Sequence, residues 1–125
     1  MKIILSNKSA IPLYEQIKNA IKENILENNL SFGDKLPSFR TLSKDLKVSI
    51  LTVKKAYDEL EDEGFVQTKQ GLGTFVANKS NEIKKEELQK KLENHLQQAI
   101  NLSYKLNIDK KTFLNLIEIL FNEGD

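Results

Sequence analysis

The sequence predicts a mainly α-helical chain with one small β-hairpin: a winged helix-turn-helix domain over residues 1–77, then a two-helix hairpin over 78–125. Three observations predict it. Apolar residues recur at helical spacing in three stretches between residues 12 and 64, separated by capping and turn residues. The period then changes, and β-branched and aromatic residues flank a glycine pair between residues 65 and 77. From residue 82 a heptad-like apolar stripe returns.

The first helix opens at Pro12, which is tolerated in a first turn because its missing N–H would have no partner there. Leu13, Ile17, Ala20, Ile21 and Ile25 make its apolar face, and the pattern fades at Asn28-Asn29 before the turn signal Phe32-Gly33-Asp34. Ser38 follows Pro37 and precedes Leu42 and Leu46, so it reads as the N-cap of a short helix from about Phe39 to Leu46. After a tight break at Lys47-Val48, Ser49 or its neighbour caps a further helix that runs to about Glu63. Its core face is Val53, Ala56, Tyr57 and Leu60, and Gly64 stops it. Residues 65–69 and 73–77 read as the strands of a hairpin around Gln70-Gly71-Leu72-Gly73. The order helix, helix, tight turn, helix, hairpin is that of a helix-turn-helix with a wing.

Residues 78–81 are polar and read as a hinge. Beyond them Leu88, Leu92, His95, Ala99, Leu102 and Leu106 alternate in four- and three-residue steps, with Leu96 and Ile100 widening the stripe. Asn107-Ile108-Asp109 breaks the helix, with Asp109 a good N-cap. The last helix holds Phe113, Leu114, Leu116, Ile117, Ile119, Leu120 and Phe121 and is apolar nearly all round. Two helices cannot bury that surface alone, so a second copy is expected to cover it. The expected dimer seam is Leu88, Leu92, His95, Leu96, Ala99, Leu102, Leu106, Phe113, Ile117 and Leu120.

Composition narrows the function. The chain has 125 residues, 39% hydrophobic and 30% charged, and no cysteine, which excludes disulfides, thiolate metal sites and cysteine nucleophiles. No apolar run approaches the ~20 residues of a membrane span, and the N-terminal apolar run is too short for a signal peptide, so a cytoplasmic chain is expected. Net charge is only +1, which by itself gives no support for nucleic-acid binding. The local distribution does: Lys35, Arg40, Lys44, Lys47, Lys54 and Lys55 are opposed only by Asp45, before the sign reverses over Asp58, Glu59, Glu61, Asp62 and Glu63. Attraction to phosphate falls off within a Debye length of roughly 10 Å, so the local patch outweighs the total.

In a helix-turn-helix the second helix enters the DNA major groove by its N-terminal residues. Here those are Ser49, Ile50, Leu51, Thr52, Lys54 and Lys55, while the acids from Asp58 onward lie at the far end. From charge alone, an ordinary helix with scattered surface charge is an equal reading. The lone His95 with no cysteine makes no metal site, and neither paired acids, a Ser-His arrangement nor a phosphate-cradling loop suggests catalysis. No cofactor is expected, and nothing marks an effector pocket.

Several motifs stand in order from Pro12 to Val76: Pro12-Leu13-Tyr14 with Ile17; Gly33-Asp34-Lys35-Leu36-Pro37-Ser38-Phe39-Arg40-Thr41-Leu42; Leu46-Lys47-Val48-Ser49; Thr52-Val53-Lys54-Lys55-Ala56-Tyr57; Leu60-Glu61-Asp62-Glu63-Gly64; and Gln70-Gly71-Leu72-Gly73-Thr74-Phe75-Val76. In these the chain resembles the DNA-binding domain of the GntR family of bacterial regulators, over about half its length. The resemblance implies double-stranded DNA as partner. It implies that Arg40 reaches a base edge or phosphate, the alternative being a salt bridge to Asp45 or Glu61. It implies that Ser38 and Ser49 meet phosphates, the alternative for Ser38 being a pure helix cap. Thr41, Thr52 and Lys54 belong to the same surface, and Lys69, Gly71 and Gly73 to the wing beside the minor groove.

The tail resembles that of the YtrA-like branch, which lacks the larger sensor domain of other branches. This implies a homodimeric repressor on an inverted-repeat operator, in a branch that often controls transporter operons. Two rivals remain: a winged helix that docks protein, and a piece of an enzyme, since some GntR-like domains are fused to aminotransferase-like domains. Against the second, the chain closes on a self-contained hairpin.

Two departures from the family pattern remove cations from the DNA side: Ile50 stands where many members have arginine, and Leu72 where many have a basic residue between the wing glycines. Ile50 can touch thymine methyls. Either a somewhat weaker affinity or a more A·T-rich site than that of arginine-bearing relatives is therefore expected; a G-rich consensus under Ile50 in binding-site selection contradicts this.

Overall fold

Caps and glycines set the boundaries of the elements. The computed structural model describes residues 1–78 and 81–124. Helix α1 (Leu13–Leu26) starts behind Pro12, α2 (Phe39–Leu46) behind Ser38, and α3 (Ile50–Asp62) behind Ser49. Strands β1 (Val66–Lys69) and β2 (Gly73–Val76) form the hairpin. Helices α4 (Asn81–Lys105) and α5 (Lys110–Glu123) follow. The chain divides into two compact units, Met1–Lys84 and Lys85–Asp125. The hinge expected over residues 78–81 falls partly on residues 79 and 80, which lie outside the described residues.

The serine caps work as their position requires. Each serine Oγ accepts the backbone N–H three residues on, Thr41 for Ser38 and Thr52 for Ser49, both at 3.1 Å. Asp109 does the same for Thr112 at 2.8 Å, and that bond holds its carboxyl below the usual range. Lys47 takes a left-handed backbone (φ 58°) to make the tight break between α2 and α3. Gly64 (φ 82°) turns the chain after α3 and sends Phe65 under it.

The core of the first unit gathers one face of each helix: Ile17, Ile21 and Ile25 from α1, Leu42 from α2, and Val53, Ala56, Tyr57 and Leu60 from α3, closed by Leu36, Phe65, Val66 and Val76. Burying one such side chain contributes about 1.5–3 kcal/mol. The buried Tyr57 hydroxyl donates to the carbonyl of Pro37 at 2.8 Å and so ties α3 to the entry of α2; its burial pushes the hydroxyl's pKa up.

One feature differs from the sequence reading. Residues 33–36 do more than turn. The Gly33 N–H donates to Val76 O, Val76 N–H to Asp34 O, and Leu36 N–H to Thr74 O, so this segment lies along β2 as a third edge of the wing. Gly33 has φ 89°, which a side chain would resist. The wing strands lie where the sequence placed them: Lys69 pairs with Gly73, and residues 70–72 connect them.

The N-terminal arm is docked as well. The Gln16 amide accepts from Ser6 N–H and donates to Ser6 O, while the buried Asn24 donates to the carbonyls of Lys2 and Ala20. Ile3 and Leu5 pack against the core.

An ion-pair cluster clamps α1 to the end of α3: Lys18 bonds Glu59 at 3.0 Å and Glu63 at 3.1 Å, and Lys22 also bonds Glu63. Burial pushes the Glu63 carboxyl up, but the bonds from Lys22 and Lys18 outweigh it and hold it below the ordinary value of 4.5. A carboxyl lowered in the folded state stabilises above its unfolded pKa, and that stability is lost as pH falls through its folded pKa. Glu63→Gln is expected to lower stability at neutral pH by about 0.5–1 kcal/mol after solvent screening and to make acid destabilisation below about pH 4.5 shallower. Thermal unfolding of both proteins across pH checks this; parallel curves contradict it.

Candidate nucleic-acid interface

The buried face of α3 decides which of its side chains point outward. With Val53, Ala56, Tyr57 and Leu60 inside, its N-terminal half presents Ile50 (45% exposed), Leu51 (75% exposed) and Lys54 to solvent, with Thr52 half-buried. The start of α2 presents Ser38, Arg40 and Thr41, all exposed.

The same hydroxyl pairing stands at the start of both helices. Ser38 Oγ donates to Thr41 Oγ1 at 2.9 Å, and Ser49 Oγ lies 2.7 Å from Thr52 Oγ1. Ser38 is thus engaged as a helix cap, while the Thr41 hydroxyl proton stays free to donate outward. Arg40 makes no ion pair with Asp45 or Glu61 among the described residues. The Glu61 carboxylate instead accepts the N–H of Thr68 and pins β1 to α3. The guanidinium fork of Arg40 is therefore left to solvent, in the geometry that pairs with guanine or phosphate.

The two lysines of α3 are less free than their charge suggests. Lys54 bonds Asp58 at 2.8 Å one turn on, so the acids do not all lie clear of the cations as the sequence reading had them. Both partners are half exposed, and such a pair is weak, so a phosphate can compete for the ammonium. Lys55 turns to the side and places its ammonium 4.0 Å from the ring centre of Tyr14 on α1. Of the other acids of the run, Glu59 and Glu63 pair with Lys18 and Lys22 and Glu61 accepts the Thr68 N–H, while Glu61, Asp62 and Glu63 remain exposed at the helix end, as the sequence suggested.

In the wing, Gly71 sits at the exposed tip with φ 77° behind a turn in which Leu72 N–H donates to Lys69 O at 2.9 Å. Lys69 holds its ammonium 4.9 Å from the Phe75 ring. Gly73 is half-buried inside β2 rather than at the tip. Lys35, counted from the sequence only within the basic run, emerges beside it. Its signal was a lysine between the turn at Gly33-Asp34 and Leu36-Pro37, but its pairing with β2 is a long-range contact that no local pattern shows.

In the second unit, Leu88, Leu92, Leu96, Leu102, Leu106 and Leu120 are between 42% and 69% exposed, His95 is exposed, and Ala99, Phe113 and Ile117 are half-buried. No described residue of α5 is buried. Among the described residues no cluster of His, Asp and Glu could hold a metal ion, and no helix is long and apolar enough to cross a membrane.

A family model described as bacterial regulatory proteins, gntR family, matches residues 13–76. The HTH-type transcriptional repressor YtrA of Bacillus subtilis (strain 168) is 43% identical over 75 residues, which are 60% of this chain and 58% of YtrA. The chain therefore spans less than two thirds of the length of YtrA. The HTH-type transcriptional regulator YhcF of the same organism is 35% identical over 118 residues, 94% of this chain and 95% of YhcF. Among solved structures, a transcriptional regulator from Oenococcus oeni superposes with a TM-score of 0.79 at 28% identity, over 94% of this chain and 97% of that one. The AraR DNA-binding domain in complex with operator ORX1 superposes with a TM-score of 0.55 at 29% identity, over 62% of this chain and 96% of that one.

Proposed function

The chain belongs to the GntR family of DNA-binding transcriptional regulators, and from that premise we propose that it is a homodimeric repressor that binds an inverted-repeat operator. Residues 1–77 would bind DNA and residues 78–125 would dimerise. Each protomer lays the start of α3 in a major groove, with Ser49, Ile50, Leu51, Thr52 and Lys54 toward the bases and phosphates. Ser38, Arg40 and Thr41 reach the DNA from α2, Lys55 flanks the groove from the α1 side, and Lys69 and Gly71 approach the adjacent minor groove. The observation that carries this reading is the outward-facing surface of α2 and α3, where Arg40 makes no ion pair among the described residues beside two serine-capped helix starts. Backbone N–H groups at helix starts favour phosphate.

Dimerisation is supported by the second unit. Apolar side chains exposed along α4 and α5 need a cover, and a second copy supplies the same surface in self-complementary form. Two-fold symmetry then calls for half-sites about one helical turn apart. Repression follows from occupying a promoter, as the name of the YtrA relative suggests for that protein. A transporter operon is the target that the likeness to the YtrA-like branch favours, and the cytoplasm is where such an operon is met.

The test is binding of the purified protein to its own upstream DNA at two salt concentrations, with Arg40→Ala as control. Affinity is expected to fall by about 10³-fold or more between 50 and 200 mM salt if about six phosphates are contacted. Arg40→Ala is expected to cost about 10- to 100-fold with unchanged thermal stability. A flat salt response contradicts DNA binding and favours a protein-docking winged helix; full affinity in the variant contradicts the role of Arg40.

A further inference from the structure

The outer face of the wing carries a cation that the DNA-binding surface above does not include. Lys35 lies opposite Phe75 in an antiparallel bridge, Phe75 lies opposite Gln67, and Gly73 opposite Lys69. Side chains alternate along a strand, so Lys35, Phe75, Gly73 and Lys69 share one face. The opposite face carries Leu36, Val66, Thr74 and Val76, all buried. The polar face is thus turned away from the core.

On that face the Lys35 side chain runs across Gly73. A Cβ on residue 73 would stand 2.8 Å from Lys35 Cε, so a side chain there would push the flexible lysine end off this path. Gly73 also has φ 125°. Lys35 is exposed and has no ion pair among the described residues; the neighbouring Asp34 carboxylate is occupied by the N–H of Ser31 at 2.8 Å. With Ser38, Gln70 and Gly71, Lys35 lines an open groove of about 470 Å³ between the wing and the start of α2.

We propose that Lys35 contacts a DNA phosphate from the base of the wing, its stem lying across Gly73. The inference rests on the DNA-binding reading of the preceding subsection and adds a cation at the base of the wing to that surface. A free lysine loses side-chain entropy when it binds an anion. Here the stem is already laid along the wing, which lowers that cost and leaves the ammonium beside the hydroxyl-bearing start of α2. A phosphate contact carries no sequence information, so its loss weakens binding to every duplex alike.

The experiment measures affinity across a salt series for two duplexes, the chain's own upstream region and a scrambled sequence of equal length. It compares the wild type with Lys35→Met, which keeps the stem over Gly73, and Lys35→Arg, which keeps the charge. Lys35→Met is expected to weaken binding to both duplexes several-fold and to lower the salt slope by about one unit, with the thermal midpoint unchanged. Lys35→Arg is expected to retain the wild-type slope. A Lys35→Met protein with wild-type affinity and slope overturns this proposal and leaves the DNA-binding reading standing. A wild type that binds neither duplex overturns both.

Discussion

Val53, Ala56, Tyr57 and Leu60 leave α3 one way to lie, and the rest of the binding surface follows from that packing. Ala56 and Leu60 are fully buried, Ile17 and Ile21 of α1 are buried to the same degree, and the Tyr57 hydroxyl is bonded to Pro37. Rotating α3 would expose the apolar stripe and strand that hydroxyl, a cost of several kcal/mol against a total stability of about 5–15 kcal/mol. The helix is therefore held with Ile50, Leu51 and Lys54 outward. Because Tyr57 grips the residue just before Ser38, the start of α2 is fixed by the same contact, and Arg40 is placed relative to α3 rather than left to a free loop.

Electrostatics explain how a chain of net charge +1 can present a basic surface. Several acids near that surface are occupied within the fold: Glu59 and Glu63 by Lys18 and Lys22, Glu61 by a wing N–H and Asp34 by a turn N–H. Lys54 is the exception among the DNA-side cations, since Asp58 holds it. Counting charges over the whole chain hides this division, because attraction to phosphate depends on what lies within about 10 Å.

Local chemistry was legible in the sequence, and long-range pairing was not. Ser38, Ser49 and Asp109 announced their helices because a cap is written in a few adjacent residues, and Gly64 announced the end of α3 for the same reason. The apolar face of each helix followed from period alone. The third edge of the wing over residues 33–36, the Gln16 grip on Ser6, the buried Asn24 and the turn of Lys55 onto Tyr14 each join residues that no spacing rule connects. The acidic end of α3 is exposed as its composition suggested, but the pairing of Glu59 and Glu63 with Lys18 and Lys22, some forty residues earlier on α1, was not legible. In α4 and α5 the apolar stripe was plain from the sequence, and it stands largely exposed.

The central claim is that two copies set α3 into successive major grooves on one face of the DNA. Hydroxyl-radical footprinting of the protein on its upstream region tests this most directly. The account predicts two protected segments related by a dyad, with centres about one helical turn, roughly 10 base pairs, apart. A single protected segment with no dyad would contradict it.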